Sequence, residues 1–318
     1  MERVSECRVL SSILEEAPRC RFTCSAKHTT PSFIDEREDV PSPKGCLVAH
    51  TALSLMETQN LVTCFKKPFH RVIESNKPKE LPKISSDELW NVALTTPLLH
   101  DFGKLADEYV DRSKKRRVYF GHHRLSAIIA RKALSETSHD YIAVVVAYAI
   151  LFHHEALDWR SIESSIFTFN YLMKVFAEDV KYTVADDRLK LFGSNLDELL
   201  TQLYERGLLS IEQHRFLSQI STRALRELLR NRSVTLYVKE VLDVTKTKKP
   251  NVTAPAFFLY RLLYLADNRA ASARSQYWLG SLRNVNWDNV EKVAEQIYRA
   301  LTERRYYIGL SAIPEAID

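Results

Sequence analysis

Seven side chains could do chemistry together: His50, His100, Asp101, His122, His153, His154 and Asp267. Imidazole nitrogens and carboxylate oxygens suit borderline transition ions, so manganese, iron, cobalt, nickel or zinc fit better than magnesium. This set is too large for one ion. Two divalent ions sharing Asp101, one on each carboxylate oxygen, account for all of it. A metal pair of this kind suits phosphoester hydrolysis, because it lowers the pKa of a bound water towards about 7 and stabilises both the attacking and the leaving oxygen. Lys104, a turn beyond Asp101, is placed to offset charge in the transition state, which makes Asp101 and Lys104 the candidate catalytic residues.

These residues need elements that bring them together. His100 and Asp101 follow an apolar helical stretch, Leu89 to Leu99, whose N-cap reads as Asp87 with Glu88 in the first turn. Pro97 removes a backbone donor just before the pair. His50 falls in the first turns of a helix beginning near Leu47. After Gly121, residues His122, Ser126, Ile129 and Ala133 share one helical face, and the small Ser126 and Ala127 permit close packing. The stretch from Asp140 to His154 is apolar nearly all round, which belongs at the centre of a bundle, and it ends on His153 and His154. A strongly apolar helix, Phe257 to Ala266, delivers Asp267 at its end. Any one of these residues alone would pass for a capping acid or a helix-end histidine. Together they hold six of the chain's 10 histidines, counting His123.

The remaining sequence sets the frame. Only 7 of 318 residues are glycine, against an ordinary share of about 7%. This argues against a β-rich fold, and neither a P-loop nor a dinucleotide fingerprint occurs. Residues 65–86 read as a Lys/Pro-rich connector. The stretch 161–246 reads as helical and amphipathic, with Leu196, Leu199, Leu200 and Leu203 in one apolar stripe and Phe216, Ile220, Leu225, Leu228 and Leu229 in others. A last helix is expected over Asn289 to Arg304. The fold class is therefore all-α, a helical bundle of about ten helices, with an irregular segment 1–44 before a single domain 45–318.

Net charge is +5, which permits a polyanionic partner without requiring one. The most basic stretch, Arg112 to Arg117, is by default a solvated loop. Lying between two histidine elements, its Lys114, Lys115, Arg116 and Arg117 become candidate phosphate contacts, with Arg269 and Arg274 beside Asp267. Arg223, Arg226 and Arg230 form a further basic stripe. The five cysteines, Cys7, Cys20, Cys24, Cys46 and Cys64, are odd in number and read as reduced thiols. Cys20, Cys24 and His28 supply only part of a zinc set, at a non-standard spacing. The longest apolar run is too short to span a bilayer and no secretory leader is visible, so a cytoplasmic protein with no membrane partner is expected.

The order H…HD…H…HH…D resembles the HD-domain metal-dependent phosphohydrolases. In detail it looks most like the HD nuclease of type I CRISPR interference in its stand-alone form, separate from the helicase. The carrying stretches are Leu47-Val48-Ala49-His50-Thr51, Leu99-His100-Asp101-Phe102-Gly103-Lys104, Gly121-His122-His123-Arg124-Leu125-Ser126-Ala127, His153-His154-Glu155 and Leu265-Ala266-Asp267-Asn268-Arg269-Ala270-Ala271-Ser272, over roughly residues 45–275. The resemblance implies an HD-type bundle in which His50, His100, Asp101 and Asp267 hold one ion and Asp101, His122, His153 and His154 the other. It favours His122 over His123, because the family's histidine stands four residues before the small pair Ser126-Ala127. It further implies an endonuclease of antiviral defence. Such an enzyme cuts single-stranded DNA with manganese, nickel, cobalt, iron or magnesium, beside a CRISPR helicase subunit and an RNA-guided surveillance complex. The alternatives are an HD-superfamily hydrolase of dNTPs or cyclic nucleotides, and a non-catalytic helical subunit of a larger complex.

Overall fold

In the computed structural model, which describes residues 47–110, 122–135, 140–153, 180–230, 233–234 and 252–278, the chain is all-α. The described helices are α1 (Leu47–Asn60), α2 (Val62–Asn76), α3 (Ser86–Leu99), a 3-10 turn (Phe102–Leu105), α4 (Asp107–Val110), α5 (His122–Ser135), α6 (Asp140–Leu151), α7 (Asp186–Glu205), α8 (Ile211–Arg230) and α9 (Thr253–Trp278). One two-residue pairing joins Val180–Lys181 to Ser233–Val234 antiparallel, a β contact within the stretch 161–246 expected to be helical. The irregular segment 1–44, the cysteines other than Cys64, and the helix expected over 289–304 lie outside the described residues. Among the described residues no helix is long and apolar enough to cross a membrane.

The uniformly apolar helix takes the centre. Every residue from Tyr141 to Leu151 is buried, and α6 packs on α5, α9 and α3. The α9 helix lies against both α1 and α6, so the helix carrying Asp267 meets the helix carrying His50. The stripe Leu196, Leu199, Leu200, Leu203 is buried as its spacing requires. Leu229, expected in a core stripe, is instead 40% exposed at the last turn of α8, where only Leu228 turns inward.

Three local readings are corrected. Residues 65–76 are not a connector but most of α2, with Pro68 inside the helix. Phe65, Phe69 and Ile73 recur every fourth residue and are at most 1% exposed. Burying three such side chains contributes roughly 1.5–3 kcal/mol each, which exceeds the ~3 kcal/mol cost of an interior proline. The cap of α3 is Ser85, not Asp87: Ser85 sits in extended backbone and its hydroxyl oxygen accepts from Glu88 N at 3.1 Å. Asp87 and Glu88 occupy the first turn, where the helix dipole favours acids. Finally, α9 continues well past Asp267 to Trp278, so that aspartate is a mid-helix residue.

Candidate metal centre

Five backbone elements converge on Asp101. The carboxylate, 2% exposed, lies between α3 and the 3-10 turn, and its two oxygens face different neighbours. Oδ2 is 3.5 Å from His50 Nε2, 3.4 Å from His100 Nε2 and 2.7 Å from Lys104 Nζ. Oδ1 is 3.4 Å from His122 Nε2 and 3.7 Å from His153 Nε2. Asp267 Oδ1 closes the first group at 2.8 Å from His50 Nε2 and 3.7 Å from His100 Nε2. The ligand atoms thus form two sets, His50–His100–Asp267 and Asp101–His122–His153, each with all its atoms within 4.8 Å of one another.

The spacing fits divalent ions. Ligand bonds of about 2.0–2.2 Å at angles between octahedral and tetrahedral put neighbouring donor atoms about 3.0–3.4 Å apart, and the distances here run from 2.8 to 3.7 Å. His100 Nε2 and Asp101 Oδ1 are buried without a hydrogen bond of good geometry, which is costly unless something else binds them. Either set could hold a metal ion.

Helix ends aim the imidazoles. The last carbonyls of a helix lack an intrahelical donor. His100, just past α3, uses its Nδ1 on the Pro97 carbonyl at 2.8 Å; His153, just past α6, uses its Nδ1 on the Ile150 carbonyl at 2.5 Å. Both contacts are to the carbonyl three residues back. With Nδ1 engaged by the backbone, Nε2 is the nitrogen turned towards Asp101, the orientation a metal ligand needs.

Gly103 sets the distance between the two halves. A Cβ there would come within 2.1 Å of the His122 carbonyl oxygen, a backbone atom that cannot swing aside. Gly103 N donates to Ser126 Oγ at 2.8 Å, which pins the 3-10 turn to the first turns of α5. On its far side the turn is braced by the segment after Val180–Lys181. Thr183 donates from N and Oγ1 to the Glu108 carboxylate, its carbonyl accepts from Asp107 N at 2.9 Å, and Arg188 pairs with Asp107 while donating to the Leu105 carbonyl.

The electrostatics follow from burial and these contacts. Burial opposes charge on Asp101 and on Asp267, yet the surrounding imidazoles, with Lys104 beside Asp101, hold both carboxyls well below the usual range. Burial alone would lower His100 too, but Asp101 and Asp267 outweigh it and raise its pKa from 6.5 to about 10. His122 goes the other way. Burial, against a partial offset from Asp101, takes it from 6.5 to about 4, and burial takes His123 to about 2.

The sequence candidates are not all brought together. His50, His100, Asp101, Lys104, His122, His153 and Asp267 share the centre; His154, Lys114, Lys115, Arg116, Arg117 and the side chain of Arg274 lie outside the described residues. His123 is buried, with its ring 5.9 Å from that of His122, and belongs to neither ligand set. Arg269, expected as a phosphate contact, is turned inward: its side chain is 11% exposed and its Nε lies 2.8 Å from Oε2 of the wholly buried Glu57. Sequence reading missed Glu57, and also Tyr109, whose ring lies 5.2 Å from that of His122 at 70°. Asp267, with 28% of its side chain exposed, marks the open edge of the centre.

Comparison with known proteins returned no match: no family model fits this chain, and neither curated proteins nor solved structures are significantly similar to it.

Two predictions follow from this geometry. Gly103→Ala will push the 3-10 turn off α5, separating Asp101 from His122. Metal uptake measured by equilibrium dialysis should fall at least ~10-fold, the scale on which displaced supporting contacts weaken metal sites; unchanged uptake would show that the close approach does not matter. The second concerns pH. His122 and His123 stay neutral in the fold until about pH 4 and about pH 2, whereas unfolded histidines protonate near 6.5. Their stability contribution is present above 6.5 and is lost as pH falls towards 4. Urea unfolding of the metal-free chain should lose on the order of 2 kcal/mol between pH 6.5 and 5, and a flat profile there would contradict neutral, buried imidazoles.

Proposed function

We propose that this chain is a metal-dependent phosphodiester hydrolase, an HD-type nuclease that cuts single-stranded DNA at a two-ion centre bridged by Asp101. The observation that carries the reading is the division of labour on one carboxylate, with Oδ2 towards His50 and His100 and Oδ1 towards His122 and His153. Two divalent ions bound there would supply an ionised water at neutral pH and charge stabilisation on both reacting oxygens of a phosphodiester.

The chain's own residues do the rest. His50, His100 and Asp267 grip one side, His122 and His153 the other, and the hydrogen bonds from Nδ1 to backbone keep His100 and His153 from turning away. Lys104 Nζ, buried 2.7 Å from Asp101 Oδ2, lies beside the shared carboxylate and near any anionic group bound there. The substrate approaches over the open edge at Asp267, since the other ligands are nearly sealed. The motif order H…HD…H…HH…D further supports work in the cytoplasm beside a CRISPR helicase subunit and an RNA-guided surveillance complex.

The test is hydrolysis of circular single-stranded DNA, linear single-stranded DNA, RNA and a nucleotide panel by metal-reconstituted protein, with Asp101→Ala as control. The expected result is cleavage of circular single-stranded DNA in manganese, lowered at least ~10²-fold in the variant, the scale on which loss of a key electrostatic group slows catalysis. Hydrolysis of free nucleotides alone would assign a nucleotide phosphohydrolase. No metal-dependent hydrolysis of any of these by fully loaded protein would leave a helical scaffold.

A further inference from the structure

The Glu57–Arg269 ion pair is not used by the chemistry, although it sits on the two helices that carry His50 and Asp267. Glu57 is wholly buried on α1, seven residues and therefore two turns beyond His50, so the two side chains lie on one stripe of that helix about 10.5 Å apart. On α9 the geometry is different. Leu259, Leu263, Ala266 and Ala270 are at most 1% exposed and form one apolar seam. At about 100° per residue, Asp267 and Arg269 fall on opposite flanks of that seam, with the exposed Asn268 between them on the outer face.

Apolar packing, with Phe258 stacked on Phe69 of α2, seats α9 on its neighbours, but such packing tolerates small shifts that a metal-ligand atom does not. Two polar contacts, one on each flank and both reaching α1, resist small rotations: rolling α9 one way stretches Asp267 from His50, and rolling it the other way stretches Arg269 from Glu57. The Asp267–His50 contact is the one that must be set for ligation. The other holds it.

We propose that Glu57 and Arg269 form a positioning pair that fixes the rotation of α9 on α1 and so keeps Asp267 aligned with His50 and His100, as the first of the two ion sites requires. Neither residue is a ligand. The inference rests on the two-ion reading above and assigns to that centre a support lying outside its ligand shell. Loss of the pair therefore falls first on the ion held by His50, His100 and Asp267, since Glu57 shares α1 with His50 and Arg269 shares α9 with Asp267, whereas Asp101, His122 and His153 are carried by the 3-10 turn, α5 and the end of α6.

Manganese binding at equilibrium, measured by dialysis and elemental analysis, tests this in the full chain. The variants are Glu57→Gln and the double Glu57→Met/Arg269→Met, which replaces a buried pair with apolar side chains, an exchange folds commonly tolerate. The unmodified chain should bind two ions. Both variants should keep one ion at unchanged affinity and bind the other about 10–100-fold more weakly, the usual cost of losing an outer support of a metal site, while circular dichroism shows an intact helical fold. Variants that bind both ions as tightly as the unmodified chain, or lose both equally, overturn the proposal. So does a double variant that cannot fold, because the pair then serves the fold as a whole. If the unmodified chain binds no ion, or only one, it is the two-ion reading that fails, and that result is visible before any substitution is made.

Discussion

The Asp101 carboxylate has two buried oxygens facing different sets of imidazoles, and the architecture is arranged to make that possible. A carboxylate only 2% exposed would ordinarily be neutral, because burial penalises charge. Here the charges of His100 and Lys104 keep it ionised, with His122 also close to its other oxygen. The same arrangement leaves polar atoms such as His100 Nε2 crowded at 3.4–3.7 Å without good hydrogen bonds. A packed core does not tolerate such crowding without return, and an unusual concentration of it marks a place where a ligand completes the structure.

What holds the crowd in place is mostly backbone. Carbonyls left over at the ends of α3 and α6 orient His100 and His153, a use of helix termini that costs no extra residues. The missing Cβ of Gly103 lets the 3-10 turn reach the His122 backbone, and Ser126 then fixes it. The central helix α6 needs no polar face because it is surrounded, which lets it run as a rigid apolar rod to the point where His153 emerges. The ends of the apolar helices α3 and α6 thus carry His100 and His153 into the cluster, while His50 and Asp267 reach it from within α1 and α9.

Much of this was legible beforehand, for reasons that differ by residue. The all-α class followed from scarce glycine and helical spacing, and His50, His100, His122, His153 and Asp267 could be paired with Asp101 because histidines at several helix ends are hard to explain by packing. Asp87 was misread as a cap because Ser85-Ser86-Asp87-Glu88 offers two acids beside the serine; the capping box from Ser85 to Glu88 was the better signal. The α2 helix was hidden by Pro68 and its lysines, although Phe65, Phe69 and Ile73 kept the period. Glu57 and Arg269 were not legible at all. A glutamate and an arginine on helices look like solvent-facing residues until the two helices are packed and each is found inside, and the clash that makes Gly103 indispensable exists only once α5 has docked.

The most direct measurement is the anomalous diffraction of crystals grown with manganese. The account predicts two peaks about 3.5–4 Å apart, the separation typical of paired hydrolytic centres, with Asp101 between them, one near His50, His100 and Asp267 and the other near His122 and His153. A single peak, or metal bound away from Asp101, would contradict it.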